Sequence, residues 1–169
     1  TIRMRLLGQV FAVSGQIVDE EICSMEDVDR GAKVGLRWAK GPFELANKLG
    51  INEAKYMAQD YCELANFPLP NIWNRDTSFA FSYVDLDISG ETATITINRP
   101  EAMNALNETV VNQLGKAVDA ANSNSSVKTI VLDGAGKAFV AGADVKFFVD
   151  KIKDDSFPEI YTFTANGHD

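Results

Sequence analysis

The chain has 169 residues, an apolar fraction of 46% and a formal net charge of −8 at pH 7. This length allows one domain or two small ones, and the acidic balance argues against nucleic-acid binding, which needs a basic face. No apolar run approaches the roughly 18 residues of a membrane-spanning helix. Two distant cysteines without a secretory leader predict a cytoplasmic protein, and one histidine, His168, leaves a zinc site without ligands.

The first part of the chain predicts a helical domain over residues 1–66. Apolar residues recur every three or four positions along its first helix, as on one helix face: Leu6, Val10, Val13 and Ile17. Three further helix starts are predicted, by capping signals at Ser24 and Asn52 and by Gly41-Pro42, where proline suits the first turn. Gly35 and Gly50 are expected to end the first two of these. The prolines that follow predict a semi-rigid linker over residues 67–78.

Residues 79–169 predict alternating strands and helices. Alternation of apolar and polar residues and apolar runs indicate strands over residues 81–88, 92–97 and 127–132. Periodicity and capping signals indicate helices over residues 107–121 and 145–151. A turn at Ser89-Gly90 separates the first two strands. The fold class is therefore an all-helical domain followed by an α/β domain.

Small residues lie where the third strand passes into the last helix, in the stretch Ala141-Gly-Ala-Asp144. Backbone N–H groups at a helix start lack intrahelical partners, and the helix dipole adds partial positive charge there. A carbonyl oxygen that becomes an oxyanion would be stabilised at such a position. By spacing alone, an ordinary crossover packed with small residues is the commoner explanation. Several lysines surround the turn and suit either an anionic ligand or a solvated helix face: Lys137, Lys146, Lys151 and Lys153.

Two motifs flank the helix and the strand between them: Asn98-Arg-Pro-Glu-Ala-Met-Asn-Ala-Leu106 and Lys137-Ala-Phe-Val-Ala-Gly-Ala-Asp144. Together they resemble the first half of the crotonase (enoyl-CoA hydratase/isomerase) superfamily, over about residues 79–169. The resemblance implies a partial crotonase (ββα spiral) fold and an acyl-CoA thioester substrate. It also implies that the backbone N–H of Ala143 is one donor of an oxyanion hole.

The same resemblance implies contacts with coenzyme A for six residues: Ala102, Met103, Ala141, Gly142, Asp144 and Lys146. Ala102 and Met103 are equally explained as core residues. For Asp144, we favour a role at the helix start over a general-base role. Glu101 stands where the family often has Lys. No set of residues predicts a metal site.

The helical part has a resemblance of its own. Arg5-Leu-Leu7, Ser24–Arg30 and Gly41–Ala46 resemble the C-terminal helical domain of 3-hydroxyacyl-CoA dehydrogenases. Met4 occupies the place where an active copy of that domain usually has Asn. The resemblance therefore implies a second, structural copy, and we assign no dehydrogenase site to residues 1–66.

Both resemblances together predict a fragment of a bifunctional β-oxidation enzyme, in which the dehydrogenase precedes the hydratase. The parent would hydrate trans-2-enoyl-CoA and oxidise 3-hydroxyacyl-CoA with NAD, whose binding domain is not in this chain, and we expect it to be a homo-oligomer. The fragment is expected to be inactive because no complete acid/base set is present. Two alternatives stay open: a crotonase-type isomerase, and a non-catalytic acyl-CoA-binding or assembly module.

Overall fold

The computed structural model describes residues 2–166. The chain forms two compact units, and the boundary between them falls between Phe81 and Ser82. His168 lies outside the described residues. Within residues 2–166, no helix combines the length and the apolar character needed to cross a membrane. Cys23 and Cys62 are both free thiols, and burial raises the pKa of Cys62.

The first unit contains the four predicted helices: α1 (Ile2–Asp19), α2 (Met25–Gly35), α3 (Pro42–Leu49) and α4 (Ile51–Ala65). The Ser24 side chain caps α2, as predicted, by accepting the backbone N–H of Asp27 at 3.1 Å. The predicted cap at Asn52 is wrong. Gly50 both ends α3 and precedes α4, and its φ of +99° lets the chain turn between the two helices without a spacer.

The face of α1 that enters the core differs from the predicted stripe. Leu6 is 61% exposed and Val13 is 43% exposed, whereas the fully or nearly buried residues of α1 are Gly8, Phe11, Ala12, Ser14 and Gly15. A Cβ atom on Gly8 would lie 2.2 Å from the carbonyl oxygen of Met57 in α4. The small residues therefore decide which face packs, because they alone permit this close approach of the two helices.

The predicted linker, residues 67–78, contributes to the core of the first unit. Trp73 is fully buried in a short 3₁₀ turn, and its ring centroid lies 5.5 Å from that of Phe11 and 5.4 Å from that of Phe79. The indole Nε1–H donates to the carbonyl of Phe11 at 3.2 Å. The carboxylate of Asp19 accepts the backbone N–H groups that open the turn. This segment is therefore anchored to the helices, and its prolines shape a packed connection.

A buried carboxylate joins α2 to α3. Asp29 is 1% exposed, and its two oxygens accept the backbone N–H groups of Phe43 and Glu44, each at 2.8 Å. These N–H groups belong to the first turn of α3 and have no intrahelical acceptor. A Cβ on Gly41 would lie 2.2 Å from the Asp29 carboxyl carbon, so glycine makes room for this cap. Desolvation by burial raises the pKa of Asp29 from 3.8 to about 6, although the two N–H donors oppose the shift.

The pKa of Asp29 predicts a pH-dependent stability of the first unit. Because the folded-state pKa is the higher one, the stabilisation from protonation is fully present below about pH 3.8 and is lost as the pH rises through about 6. Relative to the non-titrating Asp29→Asn variant, wild type should lose free energy of unfolding across this range. Urea titrations at several pH values test this. Asp27→Asn, which changes an exposed carboxylate of the same helix, is the control, and equal pH profiles for both variants would contradict the prediction.

Within residues 82–166, the second unit contains three strands and three α-helices. The strands are β1 (Val84–Ser89), β2 (Thr92–Ile97) and β3 (Thr129–Gly134). The helices are α5 (Glu108–Ser123), α6 (Val145–Lys153) and α7 (Phe157–Asn166). Asn107 caps α5 as predicted, with its Oδ1 accepting the N–H of Val110 at 3.0 Å. α7 was not predicted, β1 begins three residues later than predicted, and β3 begins two residues later.

The order of the sheet brings the two family-like motifs together. β1 and β2 are antiparallel, and β2 and β3 are parallel, with α5 forming the crossover between them. Because parallel strands end at the same edge, Ile97 lies beside Gly134 in the register, and the N–H of Ala135 donates to the carbonyl of Ile97 at 2.8 Å. The segments that follow both strands therefore start side by side.

Candidate functional site

The segments after β2 and β3 run in parallel and are joined by backbone hydrogen bonds. The N–H of Ala141 donates to the carbonyl of Met103 at 3.1 Å, and the N–H of Leu106 donates to that of Gly142 at 2.8 Å. The N–H of Asp144 then donates to the carbonyl of Leu106 at 2.8 Å. Leu106 and Ala143 thereby form an isolated parallel bridge. The stretch of small residues is thus held along one side by the first motif.

A buried amide side chain holds the base of this arrangement. Asn104 is fully buried and adopts a left-handed backbone conformation with φ of +56°. Its Oδ1 accepts the N–H of Arg99 at 2.8 Å, and its Nδ2 donates to the carbonyls of Ala135 and Ala138 at 2.9 and 2.7 Å. One side chain therefore binds the turn after β2 to the turn after β3 with both of its donors in use.

An ion pair between Arg99 and Asp144 joins the same two segments at the start of α6. The Nη1 group of Arg99 donates to Oδ2 of Asp144 at 2.7 Å and to the carbonyl of Ala105 at 3.0 Å. The two charged side chains are 17% and 16% exposed. The other carboxylate oxygen of Asp144 accepts the N–H of Lys146 at 3.1 Å and caps α6. The predicted role of Asp144 at the helix start is confirmed, and both of its oxygens are engaged.

The backbone N–H of Ala143 is left free by this network. Among residues 2–166 it has no hydrogen-bond acceptor, and Ala141, Gly142 and Ala143 are all exposed. Successive N–H groups of an extended segment point to opposite sides. The Gly142 carbonyl and the Asp144 N–H, which flank the N–H of Ala143, both form hydrogen bonds with Leu106. The N–H of Ala143 therefore points away from the first motif. A donor in this position, on an exposed residue, suits an acceptor outside the chain.

The other residues predicted to contact coenzyme A lie around the same turn. Met103 is 62% exposed, which excludes the core role considered for it, and its carbonyl receives the N–H of Ala141. Gly142 has a φ of +117°, a conformation that side chains rarely adopt. Lys146 is exposed in the first turn of α6, and Ala102 is half-buried. Contact of these residues with coenzyme A stays a prediction.

The described residues offer no metal centre. Within residues 2–166, no group of three or more His, Cys, Asp or Glu side chains lies close enough to hold a metal ion. Of the lysines near the turn, Lys151 pairs with Glu159 in α7. Lys137 and Lys146 are exposed and remain available to an anionic ligand.

Both units of the chain match known protein families. Residues 2–76 match the family described as 3-hydroxyacyl-CoA dehydrogenase, C-terminal domain. Residues 92–167 match the family described as Enoyl-CoA hydratase/isomerase. The chain carries a dehydrogenase C-terminal domain followed by an enoyl-CoA hydratase/isomerase segment. The hydratase/isomerase segment includes both motifs and the free N–H of Ala143.

Curated relatives resemble the hydratase/isomerase segment. The chain is 41% identical over 69 residues to a crotonyl-CoA hydratase of Syntrophomonas wolfei, a match that covers 40% of this chain and 26% of the relative. It is 43% identical over 63 residues to a short-chain-enoyl-CoA hydratase of Clostridium acetobutylicum, covering 37% and 24%. It is 35% identical over 85 residues to a mitochondrial enoyl-CoA hydratase of Pongo abelii, covering 48% and 28%. The chain spans about a quarter of the length of the curated relatives it matches.

Two side chains that organise the hydratase/isomerase segment had no predicted role. Arg99 and Asn104 lie in the motif on which the resemblance rests, yet their partners come from residues 135–144. The motif places four polar side chains, Asn98, Arg99, Glu101 and Asn104, among small and apolar residues, and their types and spacing do not single out Arg99 and Asn104. Polar groups in such surroundings need partners, and the sequence alone does not show which.

Proposed function

We propose that the chain belongs to a fatty-acid β-oxidation enzyme that hydrates trans-2-enoyl-CoA and oxidises 3-hydroxyacyl-CoA with NAD. The order of the two family matches supports this assignment. The observation that carries the hydratase half is that Ala143 is an exposed residue just before α6 whose N–H has no acceptor among residues 2–166. The homo-oligomeric state of the parent stays a prediction.

The free N–H of Ala143 fits the chemistry of hydration. When water adds to C3 of an enoyl thioester, negative charge develops on the thioester oxygen. A fixed N–H donor at a helix start stabilises that charge without reorganisation during the reaction. The N–H of Ala143 would be one such donor.

The surroundings of Ala143 suit a coenzyme A thioester. Exposed backbone at Ala141 and Gly142 leaves room for a bound adenine or pantetheine group beside Met103 and Ala102. Lys146 in the first turn of α6 and the start of the helix offer positive charge to phosphates. Asp144 contributes by holding this helix start, since its oxygens are occupied by Arg99 and by the N–H of Lys146.

The described residues do not fit NAD. A dinucleotide site needs a glycine-rich turn between a strand and the start of a crossover helix. The crossover between β2 and β3 instead begins with Asn98-Arg-Pro100, and residues 2–66 of the first unit are helical without a strand. We therefore derive no step through NAD from this chain, and its binding is assigned to the parent enzyme.

Residues 1–169 by themselves are expected to show no hydratase turnover. Among residues 82–166, the carboxylate next to the Ala143 donor is that of Asp144, which is held by Arg99 and the α6 cap and is not free to move a proton. Crotonyl-CoA hydration by the purified chain, followed as loss of the enoyl absorbance, tests this. Ala143→Pro is the control for contaminating enzyme, and turnover present in wild type but abolished by Ala143→Pro would contradict the prediction.

The engaged state of Asp144 also favours a second candidate, a non-catalytic acyl-CoA-binding module. Calorimetric binding of butyryl-CoA, which lacks the reactive double bond, tests the recognition that both candidates require. Hydration by the full-length enzyme then separates them, because a binding module would retain binding without turnover. Migration of a double bond without hydration would instead support the isomerase.

A further inference from the structure

A chain of hydrogen bonds connects the Arg99 guanidinium to the N–H of Ala143 through two peptide groups. Arg99 Nη1 donates to the carbonyl of Ala105 at 3.0 Å. The N–H of that same peptide group belongs to Leu106 and donates to the carbonyl of Gly142 at 2.8 Å. The N–H of this second peptide group is that of Ala143. The chain therefore ends at the free donor.

Peptide planarity turns this chain into an orienting device. In a trans peptide group, the C=O and the N–H lie in one plane and point in opposite directions. When Leu106 fixes the direction of the Gly142 carbonyl, it also fixes the direction of the Ala143 N–H. In the same way, Arg99 fixes the Leu106 N–H through the Ala105 carbonyl. Gly142 has a φ of +117°, outside the range of most residues, so local backbone preferences do not fix the direction of this donor and the hydrogen bonds do.

The same chain polarises the donor. Hydrogen bonds in series strengthen one another by roughly 10–30% per bond, and a charged first donor makes the first bond stronger than a neutral one. The Arg99 side chain is only 17% exposed, so water screens its charge poorly. Electron density is drawn towards the guanidinium along both peptide groups, which makes the N–H of Ala143 a stronger donor to an oxyanion.

Arg99 is itself held by independent contacts. Asp144 accepts its second Nη1 proton at 2.7 Å, and the Tyr83 ring centroid lies 5.7 Å from the guanidinium carbon. Asn104 accepts its backbone N–H at 2.8 Å. The guanidinium is thereby placed by partners on both segments, and its remaining contact is directed at Ala105.

We infer that Arg99 is a positioning residue that orients and polarises the Ala143 oxyanion donor through the peptide groups 105–106 and 142–143. The series of hydrogen bonds exists in the folded protein without a bound ligand. Its catalytic meaning rests on the proposed function, that is, on Ala143 receiving a thioester oxygen.

NMR of the ligand-free protein tests this series of hydrogen bonds. In wild type, scalar coupling across the hydrogen bond between the Leu106 amide nitrogen and the Gly142 carbonyl carbon is expected. Arg99→Met should weaken this coupling and shift the amide protons of Leu106 and Ala143 upfield. Arg99→Lys, which keeps a cation but loses the planar fork, should give intermediate values. Lys128→Met, which removes an exposed cation of the same unit, is the matched control and should leave both amides unchanged.

Two results would overturn the inference. One is absence of the coupling in folded wild type, a measurement that needs no variant to fold. The other is unchanged Leu106 and Ala143 amides in a folded Arg99→Met or Arg99→Lys protein.

Binding of butyryl-CoA separates this inference from the proposed function. In wild type, a thioester that accepts the Ala143 N–H should show its carbonyl stretching frequency shifted to lower values by isotope-edited infrared spectroscopy. Arg99→Met should reduce that shift while the dissociation constant changes much less. An equal shift in wild type and Arg99→Met would overturn the role of Arg99 and leave the proposed function intact. Bound thioester with an unshifted carbonyl would refute Ala143 as the donor, and the amide shifts of the ligand-free chain would still decide the hydrogen-bond chain.

Discussion

Ala143→Pro is expected to lower hydratase turnover of the full-length enzyme on the order of 10²–10³-fold, because loss of one oxyanion-hole donor typically has this effect. Proline has no backbone N–H. Since the N–H of Ala143 has no acceptor among residues 2–166, the substitution removes no hydrogen bond of the described fold. The effect should fall on kcat more than on coenzyme A affinity, because the donor matters most as charge develops.

Ala143→Ser is the matched control for the loss of the donor. It adds a side-chain hydroxyl at an exposed position and keeps the backbone N–H, so much of the activity should remain. Circular dichroism must show that both variants are folded, since proline can also distort the turn. A folded Ala143→Pro enzyme with near-normal turnover would remove Ala143 from the site.

Trp73→Ala is expected to lower the free energy of unfolding of the helical unit by about 3–5 kcal/mol, the usual effect of truncating a large buried aromatic side chain. Trp73 is fully buried among Phe11, Phe43 and Phe79, and its indole N–H bonds to a backbone carbonyl. Truncation leaves a cavity and removes the indole hydrogen bond. Urea unfolding followed by far-ultraviolet circular dichroism measures the loss.

Trp38→Ala is the matched control for the helical unit, because Trp38 is 38% exposed and outside the aromatic core. Its truncation should have a much smaller effect. Equal losses for the two tryptophans would show that residues 67–78 do not form part of the core and would restore the linker interpretation.

Local signals in the sequence were sufficient for most helix starts and for the bounds of β2. Ser24, Gly41-Pro42 and Asn107 start helices where capping chemistry predicts, and the alternating run Thr92–Ile97 is β2 with the predicted bounds. These features depend on hydrogen bonds and periodicity within a few residues. Local chemistry also placed Asp144 at the start of α6, because a short carboxylate side chain reaches the N–H groups of its own turn.

Contacts between segments that are distant in the sequence could not be predicted from such local signals. The α1 face was mispredicted because apolar spacing marks two faces of that helix, and only the approach of α4 at Gly8 decides between them. Prolines in residues 67–78 predict a spacer, yet burial of one tryptophan among three aromatic rings outweighs the local preference.

By itself, the sequence determined the two families, the order of the domains and the position of the small residues at a helix start. The tertiary structure decided which groups at that start are free. Parallel pairing of β2 with β3 brings residues 98–106 beside residues 135–144, and the resulting bonds engage Asp144 and leave the N–H of Ala143 without an acceptor within residues 2–166. Every residue except proline has the same backbone N–H donor, so the amino-acid type does not show which donor can meet a substrate. The hydrogen bonds that neighbouring groups form across the fold decide this.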